Sequence, residues 1–208
     1  MGEEVKLLEK EIIESLPQIP YIIDQIGYAL EWAKETHDEG AYLQTVKFVL
    51  DVCKFVQKTS EPHLFKVHLV IAAILMDIPE AISSPKFEMF KSASNSVENS
   101  LKALLVDEEL NKRLGLFRAV SVTVNRLAAN NQDCLTIMLY NILSDLKEII
   151  MGMKGTNTKV PITGEDYIKV LGYAYVVQNL RLASMDLLNA SREVLNEIDI
   201  LLNNDLNF

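Results

Sequence analysis

The stretch Leu69-Val70-Ile71-Ala72-Ala73-Ile74-Leu75-Met76-Asp77 decides the fold. An unbroken apolar run ends on an acid. The run is far too short to span a bilayer, which takes about 20 residues as a helix. A helix with no polar face belongs at the centre of a protein, packed on every side. Upstream, Ser60 can cap it and Pro62 suits its first turn. Downstream, Ile78-Pro79 closes or kinks it. The reading is a central buried helix reaching about Asp77.

Working outward, the flanking segments repeat an apolar stripe at helical spacing. Toward the N-terminus, Glu3 to Leu16 carries Val5, Leu8, Ile12, Ile13 and Leu16, and Pro17 and Pro20 end it. Tyr21 to His37 follows, with Ile22, Ile26, Ala29, Leu30 and Ala33, and Asp38-Glu39-Gly40 reads as a stop. Tyr42 to Val56 comes next, with Val46, Val49, Leu50, Cys53 and Val56. Toward the C-terminus, Ser84-Pro85 restarts a helix reading to about Val106, and another covers Leu110 to Ala129. Asn130-Asn131-Gln132-Asp133 is a break with capping residues before a helix over Cys134–Met151. Gly152 to Thr163 is the longest loop. A long C-terminal helix is predicted from Thr163 to Leu202, with a break near Ala183-Ser184. No run alternates with period two. The expectation is one all-α domain over 1–208, a multi-helix bundle without a sheet.

Composition narrows the function classes. The 208 residues carry a formal net charge of −9, with 8 Gly and 6 Pro. Low Gly and Pro favour long helices. The negative charge argues against a general nucleic-acid binder or an anionic membrane surface, since both are recognised by Lys and Arg. It suits a basic partner. The two cysteines, Cys53 and Cys134, lie within apolar helical patterns and read as buried free thiols. No secretory signal pattern is visible, because Met1-Gly2-Glu3-Glu4 is acidic. The expected setting is cytoplasmic, with no membrane and no nucleic acid as partner.

Chemistry-bearing residues are few. Only His37, His63 and His68 supply imidazole. His37 sits where a helix C-terminus favours a cation. His63 and His68 are not at the spacing that places two ligands on one helix face. Gly152-Met153-Lys154-Gly155-Thr156 looks like a phosphate loop but lacks the Gly-Lys-Ser/Thr ending and follows a helix. Asp77, closing the apolar run, and Asp145, interrupting Ile142-Leu143-Ser144-Asp145-Leu146, are the two notable acids. They read either as solvated acids on polar faces or as two carboxylates converging at the ends of core helices.

Four stretches together resemble the HD-domain superfamily, in particular the all-helical (p)ppGpp hydrolase domain of RelA/SpoT homologues. Ala29-Leu30-Glu31-Trp32-Ala33-Lys34-Glu35-Thr36-His37 is similar to that family's early helix. Ala72 to Glu80 is similar to its Ala-Ala-Leu-Leu-His-Asp-x-x-Glu-Asp signature. Leu143-Ser144-Asp145 resembles its Leu-Ala-Asp motif, and Tyr173-Ala174-Tyr175-Val176-Val177 its aromatic-Ala segment. The resemblance implies a metal site in which Asp77 and Asp145 are the surviving ligands. Thr45 and Met76 stand at the two histidine positions, and Glu80 matches the signature's Glu, the residue that would be catalytic in an active form. A second register, aligned on Leu139-Tyr140-Asn141, puts Ile137 in place of Asp145. Neither Thr nor Met replaces imidazole. No cofactor is expected beyond a weakly held divalent cation, manganese or magnesium.

Three functions are therefore weighed. The first is a non-catalytic, HD-like protein that binds a protein partner or a small ligand. The second is a divergent metal-dependent nucleotide phosphohydrolase using Asp77, Asp145, Glu80 and a relocated His63 or His68. The third is a helical protein-interaction domain unrelated to those enzymes.

Overall fold

The computed structural model describes residues 2–59, 66–78, 80–90, 94–106, 108–155, 189, 191–197 and 200. Every regular element among them is helical, and no strand occurs. The chain divides into two compact units, Met1–Leu105 and Val106–Phe208, each taken by itself below.

The first unit holds α1 (Glu3–Ser15), α2 (Pro20–Thr36), α3 (Glu39–Thr59), α4 (Val67–Leu75) and α5 (Ser94–Leu104). The apolar run is the centre of this unit. Every residue from Leu69 to Leu75 is buried, and α4 packs on α2, α3 and α5. Fully covering a Leu or Ile side chain is worth about 1.5–3 kcal/mol, so this one helix anchors three neighbours.

α1 and α3 lie side by side and parallel. Gly2 donates its N–H to Glu39, Lys47 pairs with Glu4 at 2.9 Å, and Lys54 pairs with Glu11 at 3.2 Å. Positions rising along α1 thus meet positions rising along α3. Val5 and Ile12 on α1, and Val46, Val49, Cys53 and Val56 on α3, are all buried, and the two helices pack on each other in an apolar seam. The ion pairs flank this seam at seven-residue spacing and sit in solvent, where each contributes well under about 1 kcal/mol. They set register; the apolar seam supplies the stability.

Asp38-Glu39-Gly40 does more than stop a helix. α2 ends at Thr36, with His37 at its C-cap. α3 then starts at Glu39, and the Asp38 carboxylate accepts the Ala41 N–H at 2.8 Å. An acid that caps one helix also reads as the end of the previous one.

After α4 the chain turns at Met76 and makes two short 3₁₀ segments, Ala81–Ser83 and Pro85–Phe90. The helix expected to start at Ser84-Pro85 is thus a tight 3₁₀ strap, and α5 begins separately at Ser94. The strap lies along one side of α2. Gln25 donates to the Met89 carbonyl at 3.3 Å, and Lys86 pairs with Glu35. Tyr28 meets the Phe90 ring edge-on at 5.5 Å, and Trp32 stacks on it at 6.4 Å.

The second unit holds α6 (Glu108–Leu114), α7 (Leu116–Asn130) and α8 (Gln132–Gly155), with α7 packed against both neighbours. The single helix expected over Leu110–Ala129 is broken at Gly115, whose φ of +80° lies outside helical backbone. Only glycine enters that region without strain. Asn131 caps α8, its side-chain oxygen accepting the Cys134 N–H at 3.0 Å. α8 runs through Gly152–Gly155, which had read as the start of a loop. Asn and Gly supply the punctuation here, but glycine marks a break only where φ turns positive. The predicted C-terminal helix falls largely outside the described residues, although 191–197 are helical.

Candidate functional site

Two helix ends meet at the first unit's most chemical corner. α4 finishes at Leu75, and Met76, half-buried, occupies its C-cap in αR conformation. Asp77 follows in the turn, its surface open to solvent. α2 finishes beside it with His37. Protein packed around Asp77 desolvates its carboxyl enough to raise its pKa above the ordinary carboxylate value, and the nearby His37 charge partly opposes that rise. The His37 Nε2 is buried and has no hydrogen-bond partner. Glu80, three residues beyond Asp77, is exposed and holds a left-handed backbone, φ 55° and ψ 25°. That conformation is strained for a residue with a Cβ.

The remaining sequence-selected residues are placed as follows. Thr45 is buried on α3 and donates its hydroxyl to the Ala41 carbonyl at 3.1 Å, within its own helix. Asp145 belongs to the second unit, half-buried on α8. Ile137, the alternative to it, is fully buried on the same helix. His68 lies half-buried in the first turn of α4, while His63 and the Tyr173–Val177 segment fall outside the described residues. Among the described residues no group of three or more His, Cys, Asp or Glu side chains gathers as a metal ion would require. The His37–Asp77 corner offers one imidazole and one carboxylate. Catalytic zinc takes three protein ligands.

Sequence reasoning missed the nearness of His37 to Asp77. His37 read as a helix cap, which it is, and Asp77 as the end of the apolar run, which it also is. Their meeting depends on how α2 packs on α4, and no spacing encodes that. A second polar group was missed entirely. Tyr42, buried at the start of α3, donates to Glu9 of α1 at 2.7 Å, and Lys34 of α2 reaches the same oxygen at 3.3 Å. This trio ties three helices together. Burial, with the Glu9 carboxylate adding to it, pushes the Tyr42 phenol well above its ordinary pKa.

Both cysteines are buried and neither forms a disulfide. Burial pushes the Cys53 thiol up to about 12, against smaller lowering by Ser15 and Lys54, so it is a packing residue rather than a nucleophile. No helix among the described residues is long and apolar enough to cross a membrane. No family profile, curated protein or solved structure matches this chain.

Proposed function

We propose that this protein acts by binding a protein partner or a small ligand on an HD-like helical scaffold, without hydrolysing what it binds. The observation that carries the reading is the chemistry at positions 45 and 76. Both stand where the resemblance calls for imidazole, one is Thr and the other Met, and the Thr45 hydroxyl is already committed to the Ala41 carbonyl. A thioether and an engaged hydroxyl do not hold a hard divalent ion. The net charge of −9 supports a partner other than nucleic acid, and two buried cysteines outside any disulfide accord with a reducing, cytoplasmic setting.

The test is hydrolysis. Purified protein incubated with guanosine tetraphosphate and manganese is expected to release no pyrophosphate. Manganese-dependent release that Asp77→Ala abolishes would overturn the reading.

One observation favours the second reading, a divergent phosphohydrolase: an imidazole, His37, stands near Asp77. Metal content distinguishes the two. Stoichiometric manganese, iron or zinc in the purified protein, lost in His37→Ala, would support catalysis, whereas a metal-free protein supports binding alone.

A further inference from the structure

Gly27 lies in the middle of α2 and nothing in the fold accounts for it. Its φ is not positive, unlike that of Gly115, so the backbone does not require glycine. A Cβ at this position would meet nothing within 4 Å, so no neighbour requires it either. Glycine weakens a helix relative to alanine. The gap it leaves sits on the open side of α2. At about 100° per residue Pro20, Asp24, Gly27 and Glu31 share a strip roughly 60° wide. Pro20, Asp24 and Glu31 are exposed, while Ile22, Ile26, Ala29 and Ala33 on the far side are buried. Lys34, reaching Glu9 of α1, bounds the strip on one flank, and the 3₁₀ strap bounds it on the other. Asp24 and Glu31 stand about one turn before and after the gap, about 10 Å apart along the axis. Among the described residues neither carboxylate has a hydrogen-bond or ion-pair partner.

We infer that this strip docks a basic amphipathic helix, which sets a bulky apolar side chain over Gly27 between two arginines. The inference rests on the binding reading above and names the partner's class. Charge complementarity selects the occupant. The ionised groups of α2 are Asp24, Glu31, Lys34 and Glu35, and Lys34 and Glu35 are already paired. The two carboxylates left over are those of the strip, on a chain whose net charge of −9 attracts a cationic partner at long range. A guanidinium grips a carboxylate through two parallel N–H bonds. The offsets of three and then four residues across Gly27 match the spacing along one face of a partner helix. Ile19 and Tyr21, each 43% exposed, add apolar surface at the strip's N-terminal end. A nucleic acid or an anionic membrane is repelled by the same charges. A second copy packed antiparallel across Gly27 would set Asp24 against Glu31.

The test uses the full chain and a labelled alanine-based helical peptide of about 20 residues with Arg-Ala-Ala-Leu-Ala-Ala-Ala-Arg at its centre, followed by fluorescence anisotropy. Saturable binding is expected, weakened about tenfold or more by D24K/E31K. G27L should weaken it as much by filling the gap, while its thermal midpoint is no lower than the natural chain's. E3K/E109K changes the net charge equally on other helices and should alter binding by less than about twofold. The matching peptide with Glu for both Arg should bind D24K/E31K and not the natural chain, which also shows that the variant folds. Equal binding by the natural chain and either D24K/E31K or G27L overturns the inference. So does equal weakening by E3K/E109K, an absence of binding, or tighter binding of spermine, single-stranded RNA or anionic vesicles. Dimerisation on sedimentation that D24K/E31K alters would overturn it too, by giving the strip to a second copy. Peptide binding and pyrophosphate release are independent readouts. Failure of the peptide with no hydrolysis removes only the docking strip, while hydrolysis removes the binding reading.

Discussion

The Tyr42 hydroxyl, in the first turn of α3, donates to the Glu9 carboxylate of α1 at 2.7 Å. Lys34 holds the same oxygen from α2 at 3.3 Å. Tyr42 is 1% exposed, so its hydroxyl has no water to fall back on. Tyr42→Phe should destabilise the protein by about 1–3 kcal/mol, because it leaves a partly buried carboxylate short of a donor. Urea unfolding followed by circular dichroism measures it. An unchanged midpoint would mean that Lys34 alone satisfies Glu9.

Alkaline pH should weaken the fold. The Cys53 thiol is pushed up to about 12 and the Tyr42 phenol is also raised. Unfolded, these groups release their protons near about 8.5 and about 10. Above those values the unfolded chain binds fewer protons than the folded one, so stability falls as pH rises. Their contribution is whole below about pH 8.5 and is lost as pH climbs toward the folded values. Unfolding midpoints measured from pH 7 to 10.5 should decline, and Cys53→Ala should flatten the first part of the slope.

Asp77 carries the same sign in the acid range. Its carboxyl pKa is raised in the folded state by desolvation. Above the ordinary carboxylate value near about 3.9, the unfolded chain ionises more readily, so Asp77 weakens the fold at neutral pH. Asp77→Asn should therefore raise the midpoint slightly at pH 7 and have no such effect at pH 3. A lower midpoint at pH 7 would mean that the His37 attraction outweighs desolvation.

Phe90 is fully buried where Tyr28, Trp32 and Phe87 converge. Phe90→Ala should cost about 3–5 kcal/mol by emptying that site. Trp32 is the single tryptophan of the chain, so its fluorescence reports the loss directly, as a red-shifted emission and an earlier unfolding midpoint.

Gly115→Ala tests the break between α6 and α7. Space is not the obstacle, since a Cβ there meets nothing within 4 Å. The obstacle is φ of +80° with ψ of 156°, a backbone region essentially reserved for glycine, which should cost about 1–3 kcal/mol. A neutral substitution would mean that α6 and α7 merge into one helix at no loss.

The helical class was legible because burial leaves a periodic signature. Val5, Ile12, Ile26, Val46, Val49 and Val56 all follow it, and all are buried. The central place of Leu69–Leu75 was legible for a simpler reason: a helix with no polar face has no side to turn toward water. What escaped depends on single backbone angles or on contacts between distant segments. Gly115 sits in a pattern periodic on both sides of it, and only its φ reveals a break. Pro85 to Phe90 has helical apolar spacing, yet six residues pinned to α2 by Phe90 and Lys86 settle into a tighter coil. The His37–Asp77 corner joins residues forty positions apart in the chain, each with a sufficient local explanation. The gap at Gly27 was hidden because a helical glycine reads alike in sequence whether a neighbour fills the place of its missing side chain or leaves it open.

The parallel pairing of α1 with α3 sets an order of events during synthesis. α1 is made first, but the surface it needs is completed only when residue 59 has emerged. Two helices that follow each other through a tight turn can pair antiparallel as soon as both exist. These cannot, because the whole of α2 must first carry the chain back. Until then Val5 and Ile12 have no permanent cover, and the nascent chain displays them to whatever else is near. A destabilised α2 would lengthen that interval, so the yield of soluble protein on expression should respond to changes in α2 more sharply than the equilibrium stability of the finished fold does.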